Sequence, residues 1–259
     1  MENINQLIIS LYESGLSIRQ TAKELNISVD KVRYILKKFN INTKRTLSDY
    51  KCYRKHNINI EYFKKIDTEA KSYFLGLLAA DGCVYKNRIT ITLQNQDNSI
   101  LYKFEKELKI DINDNCSLTK EKEKYTELIV TCKNMKEDLT NLGIVQGKSL
   151  ILKPPTKIPK ELIRHFVRGY FDGDGSIWFD KNANSYRCQI VTTFEMGEFF
   201  QNFFETNVKL RPTHSLNICR YGFSGNQNIK NKLGKIYLDS NFYIKRKYQK
   251  YLDCVNMKI

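Results

Sequence analysis

The chain has 259 residues, of which 41% are hydrophobic, and carries 43 Lys+Arg against 28 Asp+Glu for a formal net charge of +15. That length and apolar content allow one large domain or two to three small ones with real cores, and exclude a disordered tail protein. The positive charge is interleaved with 14 Phe and 16 Tyr, which points to a polyanionic partner, nucleic acid first.

The N-terminus has neither the basic start nor the apolar core of a signal peptide. The longest strongly apolar run, Phe74 to Ala80, is too short to span a bilayer. Neither secretion nor a membrane partner is therefore expected. Residues 1–46 read as a small all-α unit. Leu7, Ile8 and Leu11 fall at helical spacing, and Gly15 ends that helix. Ser17 caps a second helix, Asn26 takes the left-handed turn, and Ser28 caps a third helix from Val29 to about Phe39. Ile18, Ala22, Leu25, Ile27, Val32 and Ile35 face inward. Ala22 is small where two helices must cross. The pattern resembles the helix-turn-helix of DNA invertases and resolvases. That resemblance places the third helix, with Lys31, Arg33, Tyr34, Lys37 and Lys38 outward, in a DNA major groove.

Residues 47–66 read as a basic linker. The stretch from 44 onward includes Lys44, Arg45, Lys51, Arg54, Lys55, Lys64 and Lys65.

The rest of the chain contains an internal repeat. The first copy runs from Tyr73 to Gly82 (YFLGLLAADG) and the second from Phe166 to Gly175 (FVRGYFDGDG). Each carries a small residue four positions after a Gly: Ala80 after Gly76, and Gly173 after Gly169. Positions i and i+4 share a helix face, so two helices notched in this way can approach backbone to backbone. Gly82 and Gly175 then suit left-handed C-caps. Asp81 and Asp174 sit at the helix ends, where a carboxylate meets unsatisfied carbonyls and the negative end of the helix dipole. Two such ends side by side repel, and a divalent cation reverses the repulsion. Mg²⁺ (or Mn²⁺), which keeps waters and binds phosphate, suits such oxygen donors. The odd count of seven Cys, with no C-x-x-C, argues against a zinc ribbon or a disulfide framework. The three His do not cluster, so carboxylates and lysines must carry any chemistry.

The elements that follow also repeat. The first copy reads as strands at Arg88–Gln94 and Leu128–Cys132 with helices at Asn98–Leu108 and Asn134–Leu142. The second reads as strands at Ser176–Phe179, Tyr186–Phe194 and Asn217–Phe223 with helices from about Met196 and at Asn226–Tyr237. Each half is roughly αββαββα, with alternation that packs one sheet face on helices. The other face is polar and basic, with Arg88, Gln94, Arg187, Gln189 and Arg220. Trp178 is expected in the core or at the edge of the sheet surface.

These residues together resemble the LAGLIDADG homing endonucleases in their single-chain, two-repeat form. The resemblance implies an α+β fold: repeats at 67–150 and 151–259 build a DNA-binding saddle beside the small all-α helix-turn-helix. It implies a monomer that cuts both strands of a long asymmetric double-stranded DNA site. It also implies that Asp81 and Asp174, with the carbonyls of Ala80 and Gly173, hold the metal. A lysine near each site follows from it, matched by Lys148 in the first repeat and by Lys247, with Lys245 second, in the other. Asp97 is a weaker candidate for positioning water and a stronger one for a helix N-cap. Two positions depart from the family pattern. Ala79 stands where the pattern has an earlier acid, and Leu75 and Arg168 replace a small residue, an exchange expected to alter the outer edge of the helix pair. A non-cleaving regulator on the same fold and an intron RNA maturase are the alternatives. The implied setting is the cytoplasm of a bacterial or phage-infected cell, or an organellar matrix.

Overall fold

The computed structural model describes residues 4–43, 57–110 and 117–257. Lys44, Arg45, Lys51, Arg54 and Lys55 lie outside them. The chain divides into two compact units, Met1–Asn57 and Ile58–Ile259. No helix among the described residues is long and apolar enough to cross a membrane.

The first unit holds α1 (Ile4–Glu13), α2 (Ile18–Glu24) and α3 (Val29–Lys38) among its described residues. Gly15 takes φ 111° after α1. Ser17 and Gln20 form a reciprocal capping box at the start of α2. Asn26 turns the chain at φ 51°, and Ser28 accepts the amide of Lys31 at 3.2 Å to start α3. Ile8, Tyr12, Ala22, Val32, Ile35 and Leu36 form the core.

In the second unit the segment from Ile58 to Ile66 is not linker. Ile58, Tyr62, Phe63 and Ile66 are buried in the main core, where Phe63 and Tyr62 pack on Phe104. The apolar residues between its lysines decide this, because each fully buried Phe or Ile contributes about 1.5–3 kcal/mol.

The first repeat follows as α4 (Glu69–Asp81), β1 (Gly82–Tyr85), β2 (Arg88–Gln94), α5 (Ser99–Leu108), β3 (Thr119–Glu121), β4 (Tyr125–Thr131) and α6 (Lys133–Asn141). The second is α7 (Ile163–Asp174), β5 (Gly175–Asp180), β6 (Ser185–Thr193), α8 (Phe194–Phe204), β7 (Arg211–Pro212), β8 (Ile218–Ser224) and α9 (Asn226–Tyr237), followed by α10 (Lys245–Asn256). The short strands β1, β3 and β7 and the whole of α10 go beyond the elements read from sequence. Each repeat makes one four-stranded antiparallel sheet, ordered β1-β2-β4-β3 and β5-β6-β8-β7. Ile89, Ile91, Leu128 and Val130 bury one face of the first sheet, and Cys188, Ile190, Tyr221 and Phe223 bury one face of the second.

α4 and α7 run side by side in the same direction at the centre. α4 is buried on nearly all sides, from Ala70 to Ala79, so it shows no polar stripe. The small residues act as foreseen. A methyl added at Gly76 would strike the Phe166 carbonyl, and one at Gly169 the Tyr73 carbonyl. The two backbones therefore touch reciprocally.

Two expectations about these helices need correction. Gly82 and Gly175 are not left-handed caps; their φ/ψ are −75°/146° and −75°/150°, and the chain runs straight from helix into strand. Glycine is needed there for space, since a Cβ at Gly82 would lie 2.5 Å from the Leu78 carbonyl oxygen. Leu75 and Arg168 do not form an outer edge either. Both are 0% exposed. The Arg168 guanidinium donates to Glu69 at 2.6 Å, to the Ile236 carbonyl at 2.8 Å and to the Phe242 carbonyl at 2.6 Å, tying α7 to α4 and to the end of α9.

Candidate active site and nucleic-acid face

Because α4 and α7 are parallel and in contact, their carboxyl ends meet. Asp81 and Asp174 are the last residues of the two helices. A methyl at Gly173 would touch the Ala80 side chain and lie 3.1 Å from Asp81 Oδ2, so the first acid sits directly over the second helix end. Both acids keep surface open to solvent, yet their carboxylates are crowded by the two helix ends. Burial raises the pKa of Asp81, against the pull of Lys247 and Lys148. Burial and then the neighbouring charge of Asp81 push Asp174 up to about 6. The Tyr170 hydroxyl lies 2.9 Å from Thr192 Oγ1 and also reaches Asp174. A cavity of about 210 Å³ opens there, lined in part by Ala80, Lys148, Tyr170 and Asp174.

Each helix end is met by a lysine. Lys148 follows Gly147, whose φ of 69° turns the chain inward, and donates to the carbonyls of Ala80 at 3.1 Å and Gly82 at 2.6 Å. Lys247, in the first turn of α10, donates to the carbonyls of Phe171 at 3.0 Å, Asp172 at 2.5 Å and Gly173 at 2.8 Å. Both lysines are buried, and burial lowers both pKa values while the two acids raise them. The ammonium groups thus satisfy carbonyls left over at a helix C-terminus and offset its negative end. Of Lys245 and Lys247, only Lys247 reaches the site; Lys245 is exposed. Ala80 and Gly173 each present their carbonyl to a lysine, which leaves each oxygen one further lone pair.

The donor set fits a hard cation. Two carboxylates and two carbonyl oxygens lie at the adjoining helix ends, and burial raises the pKa of both acids. Among the described residues no group of three or more His, Cys, Asp or Glu gathers. Such a set suits Mg²⁺, which retains waters and takes phosphate oxygens as partners.

Sequence reasoning missed Asp172 and the partner of Asp97, both of which build the second end. Asp172 is 1% exposed and accepts from the Tyr73 and Tyr237 hydroxyls at 2.7 Å each and from the Ile244 amide at 2.8 Å. Ile244 is the N-cap of α10, so Asp172 anchors the helix that delivers Lys247. Asp97 is not an N-cap. It is buried and pairs with Arg246 at 2.8 Å, joining the first repeat to α10. The one available signal was the inequality of Ala79 and Asp172 at matching positions, because an acid that follows Tyr170 and Phe171 in a packed helix needs partners.

The predicted nucleic-acid residues fall in two places. Lys31, Arg33, Tyr34, Lys37 and Lys38 are exposed on α3, with Arg33 bound to Asp30 at 3.0 Å. Arg88, Gln94, Arg187, Gln189 and Arg220 lie on the open faces of the two sheets. A groove of about 350 Å³ over the second sheet is lined by Trp178, Arg187, Gln189, Arg211 and Arg220 among others. Trp178 is therefore part of that open face, 38% exposed and paired across the strands with Arg187.

Two αββαββα repeats, paired through notched helices whose acidic ends meet, define the LAGLIDADG architecture. Residues 68–143 match the model of the LAGLIDADG-like domain. The meganuclease I-SmaMI bound to uncleaveable DNA has the same fold, with a TM-score of 0.53 at 10% identity over 73% of this chain and 90% of that one. The LAGLIDADG homing endonuclease I-GzeII in complex with its DNA target aligns with a TM-score of 0.46 at 12% identity, over 74% and 89% of the two chains. No curated protein matches the sequence.

Proposed function

We propose that the protein is a site-specific DNA endonuclease that hydrolyses one phosphodiester in each strand of a double-stranded target. The observation that carries the reading is the pairing of Asp81 and Asp174 at adjoining helix ends, each with a buried lysine beside it. Carboxylates that repel each other this closely are an unfavourable arrangement in a protein without a cationic ligand. Asp81 and Asp174 are the residues that would hold divalent metal, which supplies water activation and charge neutralisation at the leaving oxygen. Lys148 and Lys247 keep positive charge within reach of both acids and are placed to stabilise negative charge on a phosphate between them. The basic open faces of the sheets hold the duplex through phosphates and read its bases. The α3 face of the first unit adds a second DNA contact in the manner of a recognition helix.

The experiment is incubation of the full chain with Mg²⁺ and a plasmid library of candidate sites, followed by comparison of the wild type with Asp174→Asn and Asp81→Asn. Cutting by the wild type and its loss in either variant is expected. Undiminished cutting by Asp174→Asn would remove the two-acid mechanism. Affinity for duplex should also fall steeply with salt, because phosphate contacts release counterions.

A further inference from the structure

The two sheets share topology and register, so their open faces can be compared position by position. Gly82 pairs with Ile91 and that with Leu128; Gly175 pairs with Ile190 and that with Tyr221. Counting outward from these rows matches Arg88 with Arg187 and Tyr85 with Trp178. It also matches Lys120 with Arg211, each paired to the inner strand of its sheet. At these positions charge and aromatic character are kept.

One matched pair inverts. Glu127, which pairs with Thr92 and Lys120, corresponds to Arg220, which pairs with Val191 and Arg211. Both lie on inner strands, β4 and β8, both fall at open-face positions, and both sit one row beyond the Gly82–Ile91–Leu128 and Gly175–Ile190–Tyr221 rows. Arg187 is tied to Asp180 at 2.7 Å, whereas Glu127 and Arg220 have no ion-pair partner among the described residues. A carboxylate on a face that approaches phosphates is repelled unless it meets a hydrogen-bond donor. In the DNA major groove cytosine N4 is the donor that Glu accepts from, and guanine O6 and N7 are the acceptors that Arg fills in bidentate fashion.

We infer that Glu127 and Arg220 break the two-fold symmetry of the DNA target: the half-site under the second sheet presents guanine to Arg220, and at the symmetry-equivalent position the half-site under the first sheet presents cytosine to Glu127. The inference rests on the DNA-endonuclease reading and deepens it. A palindromic site mispairs one of the two residues. The correct site bound backwards mispairs both, with acceptors facing Glu127 and a donor facing Arg220. The pair therefore fixes the orientation in which the chain sits on its target, by repulsion as much as by attraction.

The test is selection of bound duplexes from a randomised pool by the full chain in EDTA, so that binding is read without cutting. Wild type should return guanine at one position and cytosine at its symmetry mate. Glu127→Gln should change that cytosine to adenine, and Arg220→Gln should change the guanine to adenine. Each variant should lose about tenfold or more in affinity for the original base. The double exchange Glu127→Arg with Arg220→Glu should invert the two bases and leave the others alone. A wild-type site that these substitutions leave unaltered at every position would overturn the inference while leaving the DNA-binding reading intact, as would the same base selected at both positions. Recovery of no duplex by wild type at low salt would overturn both.

Discussion

The two acidic helix ends present the same chemistry through different supports. In the first repeat, Lys148 comes from a single short turn after Gly147, and the residue two before the acid is Ala79, buried and apolar. In the second, Lys247 comes from α10, a helix with no counterpart in the first repeat. That helix is held by Asp172 from its own repeat and by Asp97 from the other. One end is held by a backbone conformation and the other by buried polar contacts. The difference shows that a repeated motif can keep its acid and its lysine while its framework diverges, provided each lysine reaches the carbonyls of its own helix.

The strongest way to break this comparison is to attack what the repeats share. Gly76→Val or Gly169→Val forces side-chain atoms into the partner helix backbone. Either should cost more than the ~1–3 kcal/mol typical of overpacking and remove the cooperative unfolding of the second unit, read by thermal circular dichroism. Next are the matched positions 75 and 168. Arg168→Met leaves Glu69 with its Asn241 bonds alone and takes the donor from the Ile236 and Phe242 carbonyls, so it should destabilise by about 1–3 kcal/mol in urea unfolding. Leu75→Met should cost less than about 1.5 kcal/mol.

Asp172→Ala sharpens the asymmetry. It orphans two tyrosine hydroxyls and an amide, at about 1–3 kcal/mol for a buried group left unpaired. With each DNA strand labelled separately, it should slow cleavage of one strand more than the other, whereas Lys148→Ala should show the opposite bias. Equal slowing of both strands by Asp172→Ala would remove its role in positioning Lys247.

The smallest effect is on pH dependence. Asp174 has its folded pKa raised, so the folded protein without metal binds that proton more tightly than the unfolded chain does. The stability this contributes is present below the ordinary carboxylate range and is lost as pH rises through about 6. A divalent cation acts in the opposite sense. Mg²⁺ should therefore raise the melting temperature more above pH 7 than below pH 6, and Asp174→Asn should flatten that difference.

The helical caps at Ser17 and Ser28, the turn at Asn26 and the long strands were legible because each depends on neighbours close in sequence. The two acids and the notches were legible because they occur twice. The conformation at Gly82 was misread for a physical reason: a glycine after a helix commonly marks a left-handed cap, and only the packing of Leu78 shows that space is what requires it. Asp97 looked like a cap because its partner, Arg246, is distant in the chain. Residues 58–66 looked like linker because their lysines outweighed the apolar residues between them.

By itself the sequence determined the α and β periodicities, the repeat and the acid at each helix end, since these follow from local spacing and from duplication. Only the tertiary structure decided which lysine reaches which carbonyl, why Arg168 is tolerated in a buried position, and how Glu127 and Arg220 come to occupy matching places. Those depend on strand register and on contacts between segments far apart in the chain, where the desolvation of a charge is settled by whatever partner the fold brings to it.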